Sequence, residues 1–157
     1  MIFEDFRRSF RHFFDPCDQG FINEIIINLL SRRYPKPKSG RHRIIRPEYK
    51  MEHLYFTLEG AFGLYHPTLK IKGKASIDEP AVALTRYTVF GDYQLLFDLY
   101  PRMEFCPFVP NRLTSEQVVR NLGDDLLVDE YRVMCLEAEV FSDLCELYPK
   151  TAESLKI

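Results

Sequence analysis

The sequence predicts an α+β chain whose body is a small β jelly-roll barrel, preceded by helices and followed by one. Three observations predict it. Apolar residues recur at threes and fours through the first 30 positions; from 34 to 138 they form short runs, several bounded by Gly or Pro; from Val140 the helical spacing returns. All 157 residues read as one domain: a helical lead-in over 1–30, a barrel over 34–138 with inserts at 66–80 and 110–130, and a C-terminal helix over 139–157.

The elements follow in order. Over 2–14, Phe3, Phe6, Phe10, Phe13 and Phe14 alternate with Arg7, Arg8 and Arg11, the pattern of an amphipathic helix that Asp15-Pro16 ends. Five phenylalanines are a large apolar load for a terminal helix, so it either folds back on the domain or docks on a protein partner. A second helix is predicted from Asp18, its N-cap, to Leu30. Strands are predicted at His42–Arg46, His53–Leu58, Ala61–Tyr65, Ala81–Tyr87, Arg102–Val109 and Tyr131–Leu136, with Gly60 marking a tight reversal between two antiparallel strands. The insert at Pro110–Glu130 carries a helical piece at Ser115–Leu122, and its paired acids, such as Asp124-Asp125, read as solvated.

Composition narrows the function. Apolar residues make up 46% and charged residues 28%, which suits a packed core and argues against general disorder. The net charge of −2 gives no whole-molecule attraction to nucleic acid or anionic lipid. The average conceals an asymmetry: residues 1–50 carry eleven Lys/Arg against six Asp/Glu, and residues 115–157 carry four against ten. Ends of opposite sign fit docking surfaces for neighbouring proteins and fit two solvated faces equally well. The basic run from Arg32 to Arg43 reads as edge-strand protection rather than as a nucleic-acid patch.

No stretch approaches 18 apolar residues, and the first 14 residues are too charged for a signal peptide. Cys17, Cys106, Cys135 and Cys145 are widely spaced and never form C-x-x-C, which points to core thiols in a reducing, cytoplasmic compartment. His12, His42, His53 and His66 are scattered, so no metal site is predicted. No catalytic motif is present, and the expectation is a protein that is not an enzyme and needs no cofactor.

Leu84-Thr85-Arg86-Tyr87-Thr88-Val89-Phe90-Gly91-Asp92-Tyr93-Gln94-Leu95-Leu96, followed by Pro101-Arg102, resembles the phosphate-binding cassette of the cyclic nucleotide-binding domain family. Leu54–Gly60 resembles that family's Tyr-Phe strand and glycine turn, and Met134–Pro149 its last barrel strand and first C-terminal helix. Apart from the name, Gly91 permits close backbone approach to a phosphate, the amides after it can face an anion, and Arg102 offers a planar fork for phosphate oxygens.

The resemblance implies a ligand site made of Phe90, Gly91, Asp92, Tyr93, Gln94, Leu95, Arg102 and Met103, with Asp92 in place of the family's ribose-binding Glu. It implies a non-catalytic regulatory domain that binds cAMP or cGMP, most like the cytosolic domain of a cyclic-nucleotide-gated or voltage-gated potassium channel. The alternative is a homology domain that binds no nucleotide and serves as a scaffold or docking subunit in a larger assembly. Departures from the family pattern are Glu48 and Tyr87 where turn glycines are usual, and Met103-Glu104 after the arginine. Pointing inward, Glu104 would compete for Arg102; pointing outward, it would be harmless. The sequence reaches Ile157, where the family's lid helix over the base begins.

Overall fold

The structure is a computed structural model and describes residues 3–38, 41–67, 80–111 and 114–157. Most of the insert at 66–80 lies outside the described residues. The Phe-rich segment forms two short helices, α1 (Phe3–Ser9) and α2 (Arg11–Phe14), broken at Phe10, whose φ of −113° leaves the helical region. It folds back on the domain. Phe6, Phe10, Phe13 and Phe14 are buried, and all four rings lie within 6 Å of the Phe56 ring, centre to centre. Of the five, Phe3 alone remains exposed, so most of the apolar face of this segment is used internally.

Helix α3 (Gln19–Ile27) buries Phe21, Ile22 and Ile25, as its spacing requires. Asp18 holds the cap position but makes no side-chain cap; its backbone N–H donates to Thr151 Oγ1 at 3.1 Å. The helix stops before Leu30, contrary to the sequence expectation. Asn28 Nδ2 donates to the Glu24 carbonyl and closes it, and the chain extends into β1 (Leu30–Pro35), an edge strand.

The remaining elements are β2 (His53–Glu59), β3 (Phe62–Tyr65), β4 (Val82–Leu84), β5 (Val89–Phe90), α4 (Asp92–Leu96), β6 (Glu104–Pro107), α5 (Glu116–Leu122), β7 (Glu130–Glu137), α6 (Ala138–Leu147) and α7 (Pro149–Leu155). A four-stranded sheet runs β1-β7-β2-β5 and a three-stranded sheet β4-β3-β6, all pairs antiparallel. These are the two faces of a jelly roll rather than a barrel closed by continuous strand pairing.

Strand β2 explains the layering. Leu54, Phe56 and Leu58 face the helices, while Tyr55 faces Phe62, Phe105 and Val133 between the sheets. With β7 on one edge and β5 on the other, β2 has no edge free for β3. Gly60 therefore does not close a hairpin; it carries the chain from one sheet to the other at φ +85°, packed against the Tyr131 ring where a Cβ would collide.

Residues 42–46 contribute only the Ile45–Phe105 bridge instead of a strand, because Pro47, with no N–H and a fixed φ, stops the pairing. The predicted strands at 81–87 and 102–109 shorten to β4 and β6. Helix α5 forms where expected, with Ser115 Oγ accepting from Val118 N at 3.2 Å. The C-terminal helix breaks at Tyr148, and Pro149 starts α7 where its missing N–H costs nothing.

The two charged ends of the sequence meet inside one sheet. Arg33 of β1 lies 3.6 Å from Glu130 of β7, an exposed pair of small energetic weight. Cys106 and Cys135 are fully buried. Burial, with Asp18 beside it, pushes the half-buried Cys17 thiol up to about 12, far from thiolate reactivity. No helix among the described residues is long and apolar enough to cross a membrane.

Candidate ligand cavity

The segment after β5 is shaped by Gly91. Its φ of +101° is closed to most L-residues, and a Cβ there would lie 2.6 Å from Met51 Cε and 3.1 Å from the His53 carbonyl oxygen. Glycine is thus required for both torsion and space, and the chain turns directly into α4, with Leu95 N donating to Gly91 O at 3.0 Å. At five residues, α4 aligns few peptide dipoles, so charge for an anion must come mainly from a side chain.

That side chain is Arg102. It stands exposed at a cavity of about 530 Å3, a size typical of small-ligand sites. Leu64, Phe90, Leu99, Tyr100 and Met103 supply its mainly apolar wall, and Gln94 adds an amide. Phe90 is backed by an aromatic stack: its ring lies parallel to Phe105 at 5.1 Å, and Phe105 parallel to Phe62 at 5.1 Å. Among the described residues, no carboxylate pairs with Arg102.

Glu104 is buried and points inward, yet it does not compete for Arg102. Arg41 Nη1 and Arg43 Nε each approach its carboxylate at 3.1 Å. Arg41 also donates to the His66 carbonyl at 2.9 Å and lies over the Tyr65 ring. A buried carboxylate held by two guanidiniums is satisfied where it is. The inward charge foreseen as a threat to ligand binding is neutralised by arginines far upstream in the sequence.

Of the eight residues implied by the resemblance, Phe90, Gln94, Arg102 and Met103 share this cavity. Gly91 is buried and is not on the cavity wall; it packs against Met51 and His53, whose pKa burial and then Arg32 hold below the ordinary value. Asp92 and Tyr93 line a different groove, with His12 and Leu155, and Leu95 lines a third, against α6. Leu64, Leu99 and Tyr100 were not foreseen. The last two immediately precede Pro101-Arg102, and their place outside any helical or strand period was the available signal.

Two further residues, Tyr87 and Asp125, shape the turn that leads into β5. Tyr87 adopts φ +67°, keeping the left-handed turn with a bulky side chain where glycine is usual; Glu48 keeps a negative φ. The Tyr87 turn is bound on both sides. Tyr87 N donates to Thr57 O at 2.7 Å, and Thr88 N to Thr57 Oγ1 at 2.9 Å. Asp125 is not solvated as the sequence implied: it is buried, accepts from Arg86 N at 3.2 Å and pairs with Arg86 Nε at 3.4 Å. The second insert therefore braces the turn that feeds β5 into the cavity.

Two facing sheets, helices on one side, and a glycine turn with a short helix over a cavity define the fold of the cyclic nucleotide-binding domains. No protein-family model matches the chain, and no curated protein matches its sequence. Solved structures do match. The regulatory domain of Toxoplasma gondii PKA, solved with cAMP, aligns with a TM-score of 0.61 at 15% identity, over 90% of this chain and 44% of that one. A Geobacter metallireducens protein, provisionally described as cyclic nucleotide-binding, gives 0.66 at 14% identity, over 99% of this chain and 91% of its own. The C-linker/CNBHD of zELK channels, crystallized in the presence of cAMP, gives 0.61 at 11% identity, over 91% and 57%. The chain spans less than half of the kinase regulatory chain it matches.

Proposed function

We propose that this chain is a non-catalytic regulatory domain that binds a cyclic nucleotide, cAMP or cGMP, in the Arg102 cavity. One observation carries the reading: a guanidinium with no carboxylate partner among the described residues stands at an apolar cavity of ligand size, beside the glycine turn of this fold. Such a group pairs bidentately with phosphate oxygens, and the Phe90 ring offers a flat apolar surface to a base.

Coupling would run through α4. Gln94 faces the cavity while Leu95 and Leu96, on the same helix, pack against the core shared with α6 and line the groove beside it. A ligand that favours one position of α4 favours one arrangement of the flanking helices, by no more than its differential affinity for the two. The coupled element we propose is a cation channel. The zELK neighbour supports this choice, and the kinase neighbour shows the same fold in another setting.

A second reading has its own support. The space between the sheets is filled by Tyr55, Phe62, Phe105 and Tyr131, and Arg102 is exposed, as suits a scaffold that takes no nucleotide. Isothermal titration with cAMP and cGMP, on the wild type and on Arg102→Ala, separates the two. Binding that weakens at least tenfold in the variant, with unchanged thermal stability, supports the sensor, since charge-assisted hydrogen bonds carry that much. No heat at millimolar nucleotide supports the scaffold, and equal affinity in both proteins removes Arg102 from the site.

A further inference from the structure

Asp92 follows the turn glycine, yet it does not face the cavity. It lines a separate groove of about 570 Å3 with His12 and Phe13 of α2, Tyr87, and Ser154 and Leu155 of α7. The helix itself dictates this. Successive residues of α4 are rotated by 100°, so Asp92 and Gln94 stand about 200° apart, and Gln94 is the one on the cavity wall. Phe90 fixes the phase: its ring is stacked on Phe105 between the sheets, and Gly91 then turns the chain so that position 92 emerges toward α2.

The polar side chains on the cavity wall are Arg102, Gln94 and Tyr100, and no carboxylate is among its described lining residues. We infer that this site reads the cyclic phosphate and an apolar ring system but not the ribose 2′-hydroxyl, so that ribo- and 2′-deoxyribo-cyclic nucleotides bind alike. The ligand class is therefore broader than cyclic ribonucleotides. Asp92 faces instead the groove that α4 shares with the lead-in and C-terminal helices. The inference rests on the cavity being the nucleotide site proposed above.

A hydroxyl held by a carboxylate is worth roughly 10- to 150-fold in affinity, and one held by a neutral partner at most about tenfold. The test is titration of the full chain with cAMP and with 2′-deoxy-cAMP under identical conditions, with Arg102→Ala as the control for the site. Affinities within tenfold of each other, both lost in the Arg102 variant, are the expected result. A deoxy ligand weaker by tenfold or more overturns the inference while leaving the sensor reading intact. If neither nucleotide binds, the sensor reading falls and takes this inference with it. The perturbation is in the ligand, so no outcome depends on whether an Asp92 variant folds.

Discussion

Replacing Gly91 by alanine tests whether the turn over the cavity needs glycine for shape, for room, or for both. The torsion alone, φ +101°, costs an L-residue roughly 1–2 kcal/mol. The new methyl would also lie 2.6 Å from Met51 Cε and 3.1 Å from the His53 carbonyl oxygen. The Met51 side chain can swing, but it is buried, and overpacking of this kind costs roughly 1–3 kcal/mol. The His53 oxygen belongs to a backbone paired to Glu137 of β7, so it retreats only at the cost of that pairing. Together these give roughly 2–5 kcal/mol, or about 4–20 °C in melting temperature for a domain of this size. The comparison is Gly91→Ala in a Met51→Ala background, where the Met51 contact is gone while the torsion and the His53 contact remain. Denaturant unfolding of Gly91→Ala in the two backgrounds measures the difference, expected at roughly 1–3 kcal/mol less destabilisation when Met51 is truncated. Equal destabilisation in both would refute the argument that Met51 crowds this position.

Two further outcomes follow from the same geometry. Burial raises the Asp92 carboxyl above its ordinary value, more than its own and Tyr93's backbone hydrogen bonds and then His12 lower it, so its stabilising contribution is present only when protonated and is lost as pH rises through the folded-state pKa. Asp92→Asn should therefore melt higher than the wild type at pH 7, with the gap closing toward pH 4; a lower melting temperature at pH 7 would show that electrostatic attraction to His12 and the backbone hydrogen bonds outweigh burial. Asp125→Ala removes the acceptor of Arg86 N and should cost about 1.5–3 kcal/mol in urea unfolding, whereas Asp124→Ala, its exposed neighbour, should cost under about 0.5.

What was legible in the sequence is what is encoded locally. The phenylalanine spacing, the helical piece at 115–122, the β2 and β7 runs and the helical spacing from Val140 are each decided within a few residues. The errors share a cause of the opposite kind. Strand β1 has exposed Arg32 and Arg33 and no alternation; its six-residue pairing with β7, a hundred positions away, makes it a strand. Gly60 announced a turn correctly, but the sheet that receives the next strand depends on the edges of β2 being taken. Asp125 looked solvated because its partner lies 39 residues upstream, and Glu104 looked dangerous because Arg41 and Arg43 are remote in sequence. Asp92, Tyr93 and Leu95 line other grooves than Gln94 for one reason: a motif names positions, while the phase of α4 decides which of them face the cavity.

The four rings gathered on Phe56 restrict how this domain can move. Each fully buried phenylalanine is worth roughly 1.5–3 kcal/mol, so peeling the first two helices away would forfeit about 6–12, comparable to the whole stability of an ordinary domain. Detachment of the lead-in and unfolding are nearly the same event. Any message leaving through that end must travel as a tilt or a slide of the pair over strand β2, with the aromatic seam kept shut throughout.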